Sequence, residues 1–264
     1  MAKSRSTRQS ASWSRDFANP ALESDADPLR DLEAFHTECV LADLEIVERS
    51  IDRGKKTKMS PLEIGVFEKM RHVLESEQPL RSLSQHELNR ETLRGFGLLT
   101  DRPLLVALNV SEDHAARPLP DPLARRIAAL SAAGLSLSAS VESDIAALPP
   151  EDQPAFLEDL GLAEPALTRF IRAAYGLLDL ISFFTVGPDE VRAWTIHRGM
   201  NARQAAGRIH SDLERGFIRA EVIPYEVFMR YGSEHAVRES GHFQLEGKDY
   251  IVADGDILNI RFNV

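Results

Sequence analysis

The sequence predicts a mixed molecule in which a helical hairpin leads into a parallel α/β layer and then into a separate α+β module. Three observations predict it. Leu104-Leu105-Val106-Ala107-Leu108-Asn109-Val110 is a continuous apolar run after Pro103, as expected for a parallel strand buried on both faces. Segments after it follow in strand–helix–strand–helix order, which implies parallel strands joined by crossovers. From Val191 onward, alternating strand-like segments surround one helical stripe, the pattern of a small α+β fold of the β-grasp kind.

Composition bounds the reading. The chain has 264 residues, 31 Lys plus Arg against 41 Asp plus Glu, and a formal net charge of −10. Bulk attraction to nucleic acid is therefore not expected, DNA binding least of all, and an RNA contact would need a local basic patch. The single cysteine, Cys39, cannot form an internal disulfide and fits a reducing cytosol. It reads as a small buried hydrophobe on a helix. No apolar run approaches membrane-span length, so the expectation is a cytoplasmic protein without a membrane partner.

Residues 1–26 open with Lys3, Arg5, Arg8 and Arg15 among serines and read as a disordered basic arm. Residues 27–100 read as a helical arm. Leu29, Leu32, Phe35, Val40, Leu44, Val47 and Ile51 recur mostly three and four apart, giving a helix to about Arg53. Lys55, Lys56 and Lys58 belong to a polar turn, read as a solvated tip. Pro61 suits the first position of a second helix, with Leu62, Val66, Met70 and Val73 as its stripe to about Glu75. Together these form an αα-hairpin. Ser82 to Arg94 reads as a further helix closed by Gly95 and Gly97.

Residues 101–178 carry the parallel layer. After the 104–110 strand come a proline-marked loop, a helix over Leu123–Ala133, a strand over Leu135–Ser140, and helices over 142–148, 153–160 and 165–178. Residues 179–264 form the last module. Its strand Val191–Ile196 precedes a helix with Ala205, Ile209 and Leu213 at intervals of four, and Gly216 is placed as a left-handed cap. Phe217–Pro224 returns to strand composition. Lys248–Val252 meets a tight turn at Asp254-Gly255-Asp256, and Leu258, Ile260, Phe262 and Val264 alternate with polar residues. His210 reads as a packed, hydrogen-bonded histidine and Trp194 as core.

Several of these stretches resemble one family. Val191-Arg192-Ala193-Trp194-Thr195-Ile196, Gln204-Ala205-Ala206-Gly207, Gly216 to Ile223 and Leu245 to Val252 resemble the C-terminal TGS-type β-grasp domain of YchF. That family is the Obg-like, translation-associated ATPase branch of the P-loop GTPases. Asp27-Pro28-Leu29-Arg30-Asp31-Leu32-Glu33 and Leu41-Ala42-Asp43-Leu44-Glu45 resemble the start of the family's coiled-coil arm. The resemblance covers about residues 27–264. It implies a partial Ras-like P-loop nucleotide-binding domain with an inserted helical hairpin arm, followed by the TGS domain.

The same resemblance locates a base-binding site. P-loop GTPases place Asn-Lys-x-Asp after one strand and Ser-Ala after the next, where ligands meet the carboxyl ends of parallel strands. Here the first is Asn109-Val110-Ser111-Glu112 and the second Ser138-Ala139. The family carries Asn-x-x-Glu there and prefers ATP to GTP. By that carry-over Asn109 holds the two loops together, Glu112 faces the base edge, and Ser138 and Ala139 line the base with backbone donors.

The phosphate machinery is another matter. Gly-x-x-x-x-Gly-Lys-(Ser/Thr) would cradle phosphates and hold Mg²⁺ through its hydroxyl. Gly-Lys occurs only at Gly54-Lys55 and Gly247-Lys248, neither followed by Ser or Thr, and Asp-x-x-Gly does not occur. The expectation is a truncated or degenerate family member with residual ATP binding, no Mg²⁺ and no hydrolysis by this chain alone. Ribosomes or translation factors are the expected partners. Alternatives are a nucleotide-independent adaptor and an incomplete copy of an ordinary ATPase. Arg192, Arg198, Arg203, Arg208, Arg215 and Arg219 are either a solvated face or an RNA- or ribosome-facing surface. Two parallel strands alone would leave an open edge, so a partner or cap is expected there.

Overall fold

The structure is a computed structural model that describes residues 10–15 (backbone only), 26–57, 59–84, 86–93, 95–187 and 190–263. The chain divides into two compact units, one ending at Leu177 and one starting at Leu178.

In the first unit, β1 (Ser10–Arg15) runs parallel to β2 (Leu104–Asn109), with Ser10 opposite Leu104 and Arg15 opposite Asn109. This corrects two expectations. Residues 10–15 of the basic arm are a strand rather than disordered chain. The β2 edge expected to await a partner is occupied by the chain itself, whose ladder satisfies backbone groups an open edge would leave bare. The rest of that arm, 1–9 and 16–25, lies outside the described residues, as do Lys58 and Val264.

Helix α1 (Pro28–Thr57) and helix α2 (Pro61–Glu75) fold back on each other across a connection of residues 58–60. Ser60 caps α2 through a reciprocal capping box with Glu63, and Pro61 stands at the first helical position. Val40, Val47 and Ile51 pack against Phe67, Met70 and Leu74. The first turns of α1 do something else, since Leu32 joins the core of the layer with Leu104, Val106 and Leu108. Thus α1 is shared between arm and layer.

The helix expected over Ser82–Arg94 does not form. Leu80–Ser82 is a single 3₁₀ turn and α3 (Arg90–Leu93) a single α turn. Side chains take the bonds a helix would need. Arg90 donates to the Leu83 carbonyl at 2.7 Å and Asp101 at 2.8 Å, while Glu87 accepts from both the N–H and the hydroxyl of Ser84.

Beyond β2, the layer continues with α4 (Asp121–Ala129), β3 (Ala133–Leu137), α5 (Ala139–Ala147), α6 (Gln153–Asp159) and α7 (Ala166–Leu177). The strand β3 ends at Leu137, earlier than the sequence suggests, because Ser138 already stands as the N-cap of α5. Leu104, Val106 and Leu108 face Leu123 and Ile127 of α4, while Leu105 and Ala107 face Ala166 and Phe170 of α7. Burial on both faces explains why β2 reads as an unbroken apolar run.

The second unit is a five-stranded sheet with order β5-β4-β8-β6-β7. Strand β4 (Leu180–Val186) and β5 (Val191–His197) form an antiparallel hairpin. The helix expected through Leu213 is broken at His210 into α8 (Ala202–Ile209) and α9 (Ser211–Arg215). Strand β6 (Phe217–Ile223), α10 (Tyr225–Tyr231), α11 (Glu234–Glu239), β7 (Gln244–Glu246) and β8 (Ile257–Phe262) complete it. Ala202 and Ala205 of α8 pack on Ile181, Phe183, Ile196, Val222 and Leu258. Helices α10 and α11 cover part of the other face, over Phe184, Ile223 and Ile257.

Three local expectations change here. Gly216 is not left-handed, with φ −90°; it is required because a Cβ would lie 2.1 Å from the Asn263 carbonyl oxygen. Lys248–Val252 is not a strand but makes one isolated bridge, Ile251 with Asn201. Its turn holds through Asp256, which accepts from the Ala253 N–H and the Tyr250 hydroxyl at 2.8 Å each. His210 is exposed rather than packed, and its Nδ1 accepts from the Asp212 N–H at 3.2 Å to cap α9.

Candidate functional site

At the carboxyl ends of β2 and β3, the sequence-predicted residues come together. Asn109 is the last residue of β2, and its Oδ1 accepts the Ala139 N–H at 3.0 Å. The Val110 N–H donates to the Leu137 carbonyl at 2.8 Å, so side chain and backbone both tie the two loops. Ser138 is buried, 3% exposed, and its hydroxyl spends itself on Ser140 at 3.0 Å rather than capping α5. Asn109 therefore caps α5 from a different strand. Glu112 opens a 3₁₀ turn, Glu112–His114, and is exposed.

One detail differs from expectation. The Ala139 N–H, expected to meet a base, is already engaged by Asn109. In the first turn of α5 the Ala139 N–H is thus taken by Asn109 and the Glu142 N–H by the Ser138 carbonyl. The exposed Glu112 follows the Asn109 loop at the end of the parallel sheet where ligands bind. Phosphates have no matching cradle in the sequence. Among the described residues, no cluster of three or more His, Cys, Asp or Glu could hold a metal ion. A cavity of about 600 Å³ opens beside the loop, lined by Leu137, Ala139, Glu142, Ala166, Leu167 and Phe170 among others.

The six arginines singled out in the second unit have different surroundings. Arg192 lies 4.9 Å over the Trp194 ring and 3.7 Å from Glu190, while Trp194 Nε1 donates to Thr185. Arg198 pairs with Asp179 at 3.1 Å, Arg215 pairs with Asp212, and Arg203 donates to the Glu214 carbonyl. Arg208 is exposed on α8. Arg219 is exposed on β6, directly across from Arg261 and on the opposite sheet face from Trp194's packing against α8. Neighbouring acids thus neutralise several of them.

Comparisons with known proteins follow this geometry. Residues 180–263 match the family model YchF-GTPase_C, described as "Protein of unknown function (DUF933)". The ribosome-binding ATPase YchF of Haemophilus influenzae is 43% identical over 244 residues, covering 90% of this chain and 67% of that protein. The chain belongs to the YchF/Obg-like ATPase family. Human Obg-like ATPase 1 is 37% identical over 258 residues, covering 92% of this chain and 64% of that protein. The Schizosaccharomyces pombe YchF GTPase superposes with TM-score 0.82 at 30% identity, over 95% of this chain and 71% of that one. The mixed α/β architecture is thus that of a YchF structure, and the chain spans about two thirds of its family relatives. Among the described residues, no helix is long and apolar enough to cross a membrane.

Sequence reasoning missed three functional-looking groups in this family member. Glu221 of β6 is flanked by Arg238 and Arg261. Asp43 is fully buried and accepts from the Leu99 N–H, the Thr100 N–H and the Thr100 hydroxyl at 2.6–2.8 Å. Glu142 accepts from two backbone amides of α7. None has a local signature, because every partner is remote in sequence. Strand β4 was also missed, although its Leu-Ile-Ser-Phe-Phe-Thr-Val run is rich in strand-forming residues.

Proposed function

We propose that residues 101–178 are the second half of a Ras-like nucleotide-binding domain whose loops at Asn109, Glu112, Ser138 and Ala139 bind an adenine base. ATP is preferred to GTP, because a glutamate at 112 replaces the aspartate that accepts the two guanine N–H groups. The observation that carries this reading is the 3.0 Å bond from the Ala139 N–H to Asn109 Oδ1, which joins the two loops at the sheet's ligand-binding end. Residues 179–264 act as a TGS-type β-grasp domain. With the helical arm of residues 27–100, they associate with ribosomes or translation factors in the cytoplasm, in keeping with relatives named ribosome-binding ATPases. These 264 residues do not hydrolyse ATP by themselves, because phosphoryl transfer rests on positioning and neutralising phosphates and the sequence holds no phosphate loop.

Calorimetric titration with ATP and GTP tests the reading. Weak ATP binding that excludes GTP and falls at least tenfold in Glu112→Ala is the expected result. Binding to neither nucleotide sinks the base site and leaves the arm and the C-terminal unit as the working parts. Steady ATP turnover lost in Asn109→Ala would refute the inactive reading.

A further inference from the structure

The start of α7 is not capped by its own neighbours. Helices α2 and α8 carry local capping boxes, Ser60 with Glu63 and Asn201 with Gln204. In α7 the first two amides are held from another helix: Ala166 N–H donates to Glu142 Oε1 at 2.7 Å and Leu167 N–H to Glu142 Oε2 at 3.1 Å. Both carboxylate oxygens are thus committed to one helix terminus, where negative charge is favoured. Glu142 lies on the first turn of α5, and its own N–H donates to the Ser138 carbonyl at 3.0 Å. Ala139, at the start of that turn, is held by Asn109. A continuous chain of hydrogen bonds therefore runs from Asn109 through Ala139, Ser138 and Glu142 to the first turn of α7.

The space around this clasp is open. The cavity of about 600 Å³ has α5 on one wall and α7 on another, with Ala139, Glu142, Ala166 and Leu167 all in its lining. Leu167 is 62% exposed. Ala166 is buried against Leu105, Ala107 and Leu137, so packing seats the start of α7 on the sheet, and the Glu142 carboxylate is the polar link from α5 to its first amides. Helix α7 is also the last element of the first unit, ending at Leu177.

We propose that Glu142 is a positioning residue that transmits the state of the base loops to the start of α7. The proposal rests on the adenine reading for the identity of the ligand, though not for the coupling itself. A base that engages the first turn of α5 holds Glu142 in place, and the α7 amides tighten with it. By linkage, fixing α7 strengthens base binding by the same factor. Glutamine at 142 keeps the size but can accept only through its single carbonyl oxygen, so it turns one of the two bonds into a clash of donors.

Hydrogen exchange on the whole chain tests this, with wild type, Asn109→Ala, Glu142→Gln and the double variant, each first checked by circular dichroism for retained fold. Without nucleotide, Asn109→Ala should speed exchange at Ala166–Thr168 by roughly tenfold, and in the Glu142→Gln background it should add nothing further. No change at these amides in Asn109→Ala, or a fully additive change in the double variant, overturns the coupling. With saturating ATP, the same amides should slow in wild type and not in Glu142→Gln. ATP that binds by calorimetry yet leaves them unmoved also overturns it. If wild type binds no ATP, the adenine reading falls alone, and the nucleotide-free comparison still decides the coupling.

Discussion

Asp43 in the first unit and Glu221 in the second are both buried carboxylates, 0% and 8% exposed, held by different chemistry. Asp43 meets two backbone N–H groups and a hydroxyl from the segment entering β2, which pins α1 onto the parallel layer. Glu221 lies between Arg238 of α11 and Arg261 of β8, fastening a helix across the sheet. The first cage is enclosed, and its direct donors are two backbone amides and a hydroxyl, so salt has little access to it. The second is ionic, and Arg261 is half-exposed, so screening reaches it. The arm–layer junction is therefore held rigidly, whereas the sheet face of the C-terminal unit responds to solution conditions.

The largest effect should come from Asp43→Ala, which strands two buried donors and a partly buried one and costs about 3–5 kcal/mol. Urea unfolding measures it, and the cost should be nearly the same in low and high salt. A strong salt dependence would break the contrast between the two cages. Next is Gly216→Ala, where the new Cβ collides with the Asn263 carbonyl; a loss of about 1–3 kcal/mol is expected in thermal unfolding of the second unit.

Glu221→Gln should cost less, about 1–2 kcal/mol after screening, and should cost still less in high salt. Its pH dependence has a definite sign. Burial raises the Glu221 pKa, but the Arg261 and Arg238 hydrogen bonds outweigh that and hold it below the ordinary range. A folded pKa below the unfolded value of about 4.3 means the stabilisation is full above that pH and is lost as pH falls through the folded pKa. The stability gap between wild type and Glu221→Gln should therefore close on acidification below about pH 4, as thermal melts can follow. Smallest of all, Arg219→Ala should change stability by no more than about 0.5 kcal/mol, so any large loss of ribosome co-sedimentation in that variant reflects binding.

The parallel strand at 104–109, the paired helices and Pro61 at the start of the second were legible in the sequence because each depends on neighbours three or four residues away, or on burial of one unbroken run. The loops at Asn109 and Ser138 were legible by resemblance, and the structure brings their backbones together. What the sequence misplaced involves distant partners. The Ser82–Arg94 helix yields to Arg90 reaching Asp101, and Gly216 answers to Asn263. Residues 10–15 read as part of a disordered basic arm because the arm as a whole is rich in serine and base, yet Ser10-Ala11-Ser12-Trp13-Ser14 alternates with a strand period and an open β2 edge supplies the ladder that makes it a strand.

By itself, the sequence determined the two helices of the arm, the buried strand after Pro103 and which family the chain resembles, since these follow from periodicity and short motifs. Only the tertiary structure decided that β1 closes the edge, that Asp43 and Glu221 are caged in opposite ways, and that Glu142 holds α7. Hydrogen bonds between residues far apart in sequence depend on where the folded chain carries them, and no local pattern records that.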